Sequence, residues 1–188
     1  MSDVGAPLWA KQKEGRWFTR LPVTTMLNGA PLTLPLHVVT GRSAGPTLGI
    51  ITNVHGDEFL PTTAIRTLLG ELDTAKLKGR LAIISVANPL ATAGFGRLTP
   101  EQHGKTDLFE VFPGNARGNT TQMIAAAITA SVPDHADAFI DFHSGGLGGH
   151  PPNSVSDIET LEVQKDLFPI DVYQFFDEPD QSINEKMG

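Results

Sequence analysis

Three short apolar runs constrain what this chain can fold into more than any other feature. They occupy residues 48–51, 81–86 and 138–142, and each has the length of a buried strand rather than that of a core helix. Helical patterns separate them, at residues 61–72 and 120–131. Strands that alternate with helices pack as right-handed units with parallel strands, so the sequence predicts an α/β fold.

A β segment is predicted before these runs. Residues 17–23 and 32–39 are rich in strand-forming residues and flank Asn28-Gly29, a dipeptide typical of a tight hairpin turn. Pro22 and Pro35 cannot donate a ladder hydrogen bond, and this favours strands at a sheet edge. Further along, residues 41–46 are predicted to form a loop and residues 78–80 a turn.

The remaining segments carry weaker signals. Residues 90–119 are rich in glycine, proline and polar groups and predict a long excursion of the kind that is usually functional or mobile. Residues 155–167 favour a helix, and residues 170–176 a short strand. We expect a single domain over residues 1–188. It would have an N-terminal β segment at about 1–45, an α/β core at about 46–150 and a tail at 151–188 whose structure the sequence leaves open.

Composition excludes several classes of function. A formal net charge of −7 argues against nucleic acid or an anionic membrane as the main partner, since both require a basic face. The lack of cysteine excludes a disulfide framework, a thiolate metal site and a thiol nucleophile. The sequence contains neither a signal-peptide pattern nor a membrane-length apolar run, so we expect a cytoplasmic protein. The sequence leaves open whether the chain forms a homo-oligomer.

Side chains with metal-ligand chemistry follow two of the apolar runs. His55 and Glu58 follow the first run, with the spacing that shares one face of a helical turn, and His143 follows the third. The ends of neighbouring parallel strands lie about 5 Å apart at one sheet edge, so these side chains can converge. Two imidazoles and a carboxylate are the ligands of a catalytic zinc, and Asp141 points to the same side as His143 and could orient it. The pattern alone leaves open both one Zn²⁺ per chain and a set of ordinary hydrogen-bonded polar residues.

Several ordered motifs resemble those of one family. Residues 53–58 (NVHGDE) are similar to the G-x-H-G-[ND]-E motif of the succinylglutamate desuccinylase/aspartoacylase family, and residues 141–145 (DFHSG) to its D-[LF]-H-[ST] motif. The family's N-P-x-A…G-x-R…D-L-N-R-x-F-P-G region is matched in order by residues 87–89, Gly94, Arg97, Pro100, residues 107–108 and residues 112–114. The resemblance implies a three-layer α/β/α fold of the zinc carboxypeptidase type (phosphorylase/hydrolase-like), with a mixed, mainly parallel central sheet.

The resemblance also implies a reaction. The family consists of zinc-dependent amidohydrolases, which implies that His55, Glu58 and His143 hold one zinc ion and that an N-acyl amide, or an ester, of a small metabolite is cleaved. Zinc lowers the pKa of its bound water and polarises the scissile carbonyl, and a general-base carboxylate passes the proton to the leaving amine. Arg97 matches the arginine that stabilises the oxyanion.

Two departures from the family pattern leave alternatives open. Phe109 and Glu110 stand where the family has an Asn-Arg pair that clamps a free carboxylate, a task suited to guanidinium. Arg117 is a nearby substitute, and Glu110 would favour a positive or neutral group. The family's general-base glutamate comes well after the third ligand and would lie beyond Gly188, so we expect a fragment of a longer enzyme. A non-catalytic zinc-binding domain and a metallocarboxypeptidase remain as alternatives.

Overall fold

The protein folds as a mixed β-sheet with helices on both faces. The computed structural model describes residues 7–146 and 171–172. Within these residues the strands are β1 (Gly15–Thr25), β2 (Pro31–Thr40), β3 (Ser43–Thr52), β4 (Lys78–Ile84), β5 (Ala138–Phe142) and β6 (Asp171–Val172). The α-helices are α1 (Leu60–Glu71), α2 (Pro89–Ala93) and α3 (Thr120–Ser131), and short 3₁₀ turns lie at Leu8–Lys11, Glu101–His103, Phe109–Val111 and Pro133–His135. The predicted α/β class is confirmed.

The order of the described strands across the sheet is β1-β2-β4-β3-β5-β6. The pairings of β3 with β4, of β3 with β5 and of β5 with β6 are parallel, and β2 is antiparallel to both of its neighbours. All the described strands except β2 therefore run in one direction. The prediction of a mixed, mainly parallel sheet is also confirmed.

Consecutive side chains of the central strands pack against different helices. Ile51 of β3 belongs to the larger apolar cluster, together with Ile124 of α3. Ile50 belongs to a smaller cluster with Ile65 of α1. Because side chains alternate between the two faces of a strand, α1 and α3 lie on opposite faces, and the architecture has three layers.

The hairpin predicted around Asn28 is confirmed, but one inference drawn from its prolines is wrong. β1 is an edge strand, as Pro22 suggested, whereas β2 lies inside the sheet between β1 and β4. Pro35 is tolerated in β2 because the ladder with β4 covers only Leu36 to Thr40. Pro35 lies just beyond that ladder, where a missing donor on the β4 side leaves no partner unsatisfied.

Two predicted breaks in regular structure are strand instead. β3 already begins at Ser43, and β4 at Lys78. The pairing of these strands is irregular between Ser43 and Thr47, where a Cβ on Gly45 would lie 2.8 Å from the backbone nitrogen of Gly79. The glycines here therefore mark a close, irregular approach of two backbones rather than a loop and a turn.

β3 and β5 end at the same edge of the sheet. Their ladder pairs Thr52 with Phe142, which are the last residues of the two strands, so the segments that follow emerge side by side. The helix predicted at residues 155–167 lies outside the described residues, as does most of the strand predicted at 170–176. In the part of the chain that the structure describes, no helix combines the length and apolar character needed to cross a membrane.

Candidate metal centre

A tight turn after β3 carries the first two candidate ligands. Asn53 is buried with a positive φ of 62°, a conformation that asparagine tolerates better than most residues. Its side-chain amide donates to the carbonyl oxygens of His55 (2.9 Å) and Glu58 (3.4 Å). The sequence predicts His55 and Glu58 on a helical turn; they lie in this tight turn instead, before α1 begins at Leu60. The N–H of Glu58 donates to the carbonyl of His55 (3.2 Å), and this keeps the two residues together.

Gly56 holds the turn close to the excursion that follows β4. A Cβ at this position would lie 2.0 Å from the backbone carbon of Ala91, so no side chain fits there. The N–H of Gly56 donates to the carbonyl of Gly96 (3.0 Å). The neighbouring Arg97 is thereby held near the candidate ligands.

Three residues of metal-ligand type converge at this edge. His55 Nδ1 lies 2.8 Å from Glu58 Oε1, and His143 Nδ1 lies 3.0 Å from Glu58 Oε2. The two Nδ1 atoms are 3.2 Å apart, and one ligand atom from each residue falls within 4.8 Å of the others. Ligand atoms about 2 Å from a tetrahedral zinc lie about 3.3 Å from one another. The spacing therefore fits a single ion of that size.

Carboxylates hold the far nitrogens of both imidazoles. His143 Nε2 donates to Asp141 Oδ2 (2.9 Å), and His55 Nε2 donates to Asp107 Oδ1 (3.0 Å). Each ring is thus oriented with Nδ1 toward the centre. Asp141 lies where its spacing from His143 predicts, whereas the sequence assigned no role to Asp107. Asp107 is 52 residues from His55 in an irregular segment, and its only signal was its place in the motif match.

Arg97 bridges two of these carboxylates. Its Nη1 lies 3.4 Å from Glu58 Oε1, and its Nε lies 3.3 Å from Asp107 Oδ2. The Arg97 side chain is 54% exposed, against 7% for Glu58, so the guanidinium borders the centre on its solvent side. The structure places Arg97 at the mouth of the site, and its expected action on an oxyanion remains a proposal.

The clustered charges shift several pKa values. Burial raises the pKa of Glu58, but hydrogen bonds from His143 and His55 outweigh it and hold that pKa far below its ordinary range. Burial lowers the pKa of His143, but the carboxylates of Asp141 and Glu58 outweigh it and raise the pKa to about 10. The pKa of His55 is also raised, because hydrogen bonds to Asp107 and Glu58 exceed the effect of burial. In the metal-free protein, a protonated imidazole of His143 is therefore favoured at neutral pH.

The charges of the centre balance when two positive charges are added to its fixed groups. Glu58, Asp107 and Asp141 bring three negative charges, and Arg97 brings one positive charge. Two imidazolium protons can supply the difference, and a divalent cation supplies the same two charges with both imidazoles neutral. The donor set and the charge both fit a cation such as Zn²⁺.

Phe109 contacts the centre, whereas Glu110 and Arg117, the two residues predicted to bind substrate, lie on the surface. The ring of Phe109 lies edge-on to the imidazole of His143, with 6.1 Å between centroids. Glu110 and Arg117 are both exposed. Among the described residues, neither side chain has a hydrogen bond or ion pair with a candidate ligand. Their part in substrate binding remains a prediction.

Comparison with known proteins identifies the family. The catalytic-domain model of succinylglutamate desuccinylases and aspartoacylases matches residues 44–169, a range that contains every member of the centre. The chain belongs to this family. Both the resemblance found in the motifs and the fold that it implied are confirmed.

Individual relatives agree with this assignment. The chain is 34% identical over 131 residues to the N-alpha-acetyl-L-2,4-diaminobutyric acid deacetylase of Halomonas elongata, a match that covers 69% of this chain and 37% of that protein. A succinylglutamate desuccinylase/aspartoacylase structure from Rhodobacter sphaeroides has a TM-score of 0.64 at 30% identity. The ectoine utilization protein EutE from Ruegeria pomeroyi has a TM-score of 0.63 at 29% identity. Each structural match covers 71% of this chain and 41% of the other, so the chain spans about two fifths of the length of these relatives.

Proposed function

We propose that this protein is a zinc-dependent amidohydrolase that removes the acyl group from a small N-acylated metabolite in the cytoplasm. The observation that carries the proposal is the convergence of His55, Glu58 and His143, with each imidazole held from behind by a carboxylate. Membership of the family supports deacylation as the reaction. The deacetylase relative supports an N-acetylated amino compound as substrate.

In this proposal His55, Glu58 and His143 hold one zinc ion. When bound, zinc supplies a Lewis acid and lowers the pKa of water in its open position. Asp107 and Asp141 accept the Nε2–H groups of the two imidazoles, which fixes the tautomer and raises the basicity of Nδ1. The N–H of Ser144 donates to Glu58 Oε2 (3.0 Å) and restrains this carboxylate.

Arg97 is suited to meet the negative charge that develops on the substrate oxygen. A guanidinium has five N–H donors, and the contacts with Glu58 and Asp107 are made by Nη1 and Nε. Since more than half of the side chain is exposed, the other donors are accessible to a substrate. We assign to Arg97 the stabilisation of the oxyanion.

The proton acceptor of the reaction is expected outside the described residues. Glu58, Asp107 and Asp141 each already accept a hydrogen bond from an imidazole. A carboxylate occupied in this way is a poor general base. A chain that lacked a further carboxylate for this role would be a zinc-binding domain without catalysis, which is the second candidate function.

Metal analysis tests the first part of the proposal. The purified chain should hold about one equivalent of zinc, and His55→Ala should reduce this to less than about a tenth of an equivalent. His103→Ala, which removes a histidine outside the centre, is the matched control and should leave the zinc content unchanged. Wild-type protein that holds no more zinc than His55→Ala would disprove the metal site.

A deacylation assay tests the second part. The zinc-loaded chain is incubated with N-acetyl-2,4-diaminobutyrate, other N-acyl amino compounds and a set of dipeptides, and release of free amine is measured. Deacylation that is lost in His55→Ala supports the amidohydrolase. Cleavage of dipeptides alone would favour a metallocarboxypeptidase. Zinc binding without turnover of any compound, both by this chain and by one extended at its C-terminus, would favour the non-catalytic domain.

A further inference from the structure

Phe109 is tied to the candidate metal centre through its backbone. Its N–H donates to Asp107 Oδ1 (3.0 Å), the same oxygen that accepts the Nε2–H of His55 (3.0 Å). Leu108 is fully buried and Phe112 nearly so, and they anchor the short 3₁₀ turn on both sides. The position of Phe109 relative to the ligands is therefore fixed by the same contacts that orient His55.

The side chain of Phe109 borders His143. The two rings are nearly perpendicular, at 86°, with 6.1 Å between centroids. The ring of His55 lies near His143 as well, at 4.9 Å between centroids, and the His143 side chain is only 10% exposed. Phe109 itself is half-buried and packs against the larger apolar cluster. An apolar ring thus contributes to the enclosure of one candidate ligand.

The charged neighbour of Phe109 points elsewhere. Residues of a 3₁₀ turn project about 120° apart, and Glu110 is exposed while Phe109 and Val111 pack against the apolar cluster. The cationic group of the described centre, Arg97, contacts Glu58 and Asp107. The described apolar group beside His143 is therefore the ring of Phe109, and the exposed Glu110 brings no charge to that contact.

We propose that Phe109 is a specificity-determining residue, and that it selects substrates whose group beside His143 is uncharged. The inference rests on the proposed deacylase function and narrows its substrate class. A carboxylate placed against the ring would lose its hydration without gaining a hydrogen bond, which is unfavourable. An alkyl or other uncharged group in the same place would gain apolar contact.

Two hydroxamic acids of similar size provide the test. A hydroxamate chelates zinc and so holds its chain next to the ligands. Butanohydroxamic acid has an uncharged chain, and succinic monohydroxamic acid ends in a carboxylate. Isothermal titration calorimetry on the zinc-loaded chain should show binding of the uncharged compound at least about tenfold more tightly. Phe109→Arg should reverse the order, and Phe109→Leu should keep it.

Glu101→Arg is the control. It brings a larger change of charge to an exposed position of the same irregular segment and should leave the ratio of affinities within about twofold. If Phe109→Arg does not fold, Phe109→Gln takes its place and should reduce the preference to less than about threefold.

The outcomes separate this inference from the function on which it rests. A chain that binds no zinc disproves the deacylase proposal and this inference with it. A zinc-loaded chain that binds both hydroxamates equally, or that prefers the carboxylate, disproves only the inference. An effect of Glu101→Arg as large as that of Phe109→Arg would also disprove it, because long-range charge would then set the selectivity.

Discussion

Two halves of the site are built differently. The metal-holding half consists of the candidate ligands and Asp141, and the substrate-facing half consists of Arg97 and Phe109. His55, Glu58 and Asp141 are only 2%, 5% and 3% exposed, and the candidate ligands are held by several hydrogen bonds. Arg97 and Phe109, by contrast, are partly exposed and lie on the irregular segment between β4 and α3. The difference indicates that the segments after β3 and β5 fix the positions of the candidate ligands, whereas exposed side chains of the loop can change with little effect on those positions.

The strongest test of the buried half is Glu58→Gln. The amide keeps the shape of the side chain, removes the negative charge and turns an N–H₂ group toward imidazole donors. Zinc affinity, measured by competition with a chelator, should fall on the order of 1000-fold. Glu101→Gln, at an exposed position, should change nothing. A loss of less than tenfold would mean that Glu58 is not a ligand.

Asp107→Asn and Asp141→Asn test whether the carboxylates behind the imidazoles belong to the same half. Each change weakens the restraint on one ring and on its tautomer, so zinc affinity should fall by about 10–100-fold. Asp134→Asn removes an exposed carboxylate from the 3₁₀ turn Pro133–His135 and should have no effect. Equal affinities for all three variants would leave Asp107 and Asp141 without a role in holding the metal.

Acidification should release the metal from the buried half. A metal ligand needs a free Nδ1 lone pair, and in the metal-free protein the pKa of His143 is raised to about 10. Below that pH a proton competes for the site, so zinc affinity should rise by up to about tenfold per pH unit for each proton displaced. Calorimetry between pH 6 and 9, in buffers of different ionisation enthalpy, would measure the released protons. An affinity independent of pH would contradict the assignment.

Metal removal should also change how stability depends on pH. The pKa of His143 lies above its ordinary value of 6.5 in the folded, metal-free protein. This group therefore stabilises the fold fully below about pH 6.5, and that contribution is lost as the pH rises through about 10. The melting temperature of the metal-free chain should fall across this window, while that of the zinc-loaded chain should change less. Equal slopes would contradict the protonated state of His143.

Of these variants, Arg97→Gln should have the smallest effect on zinc affinity, but it should have a large effect on turnover. The guanidinium is more than half exposed, so its loss should change zinc affinity by less than about threefold. The same change should lower kcat/KM by about 100–1000-fold, because an oxyanion donor is removed. A large loss of zinc affinity would place Arg97 in the metal-holding half instead.

Much of the fold could be predicted because its signals are local. The sequence predicts β5 with its observed ends, because a mainly apolar run of that length between polar residues is too short for a core helix. Asn119, a residue type that favours helix N-caps, caps α3 with a side-chain bond, as part of a capping box with Gln122. The start of β3 was missed because Gly45 and Pro46 are also typical of loops, and only the approach of Gly79 explains them.

The candidate site was predictable to the extent that it lies at strand ends. His55, Glu58 and His143 follow two strands that the topology makes neighbours, and the structure brings the three together; zinc binding by them remains a proposal. Asp107 lies on an irregular segment, where no periodicity indicates a direction. The same reason explains why the sequence places the pair Phe109 and Glu110 near the substrate without showing which side chain faces His143, since that depends on how one short 3₁₀ turn is anchored.

The pairing of β3 with β5 has a consequence for the abundance of the folded protein. The two candidate histidines, His55 and His143, are 88 residues apart in sequence. In an unfolded chain they are rarely close together, because closing a loop of that length costs conformational entropy. A bound ion would therefore act as a cross-link between β3 and β5, and would stabilise the folded state by mass action. Shortage of zinc would then lower the amount of folded protein as well as the activity of each molecule. The abundance of this protein in a cell would follow the supply of metal.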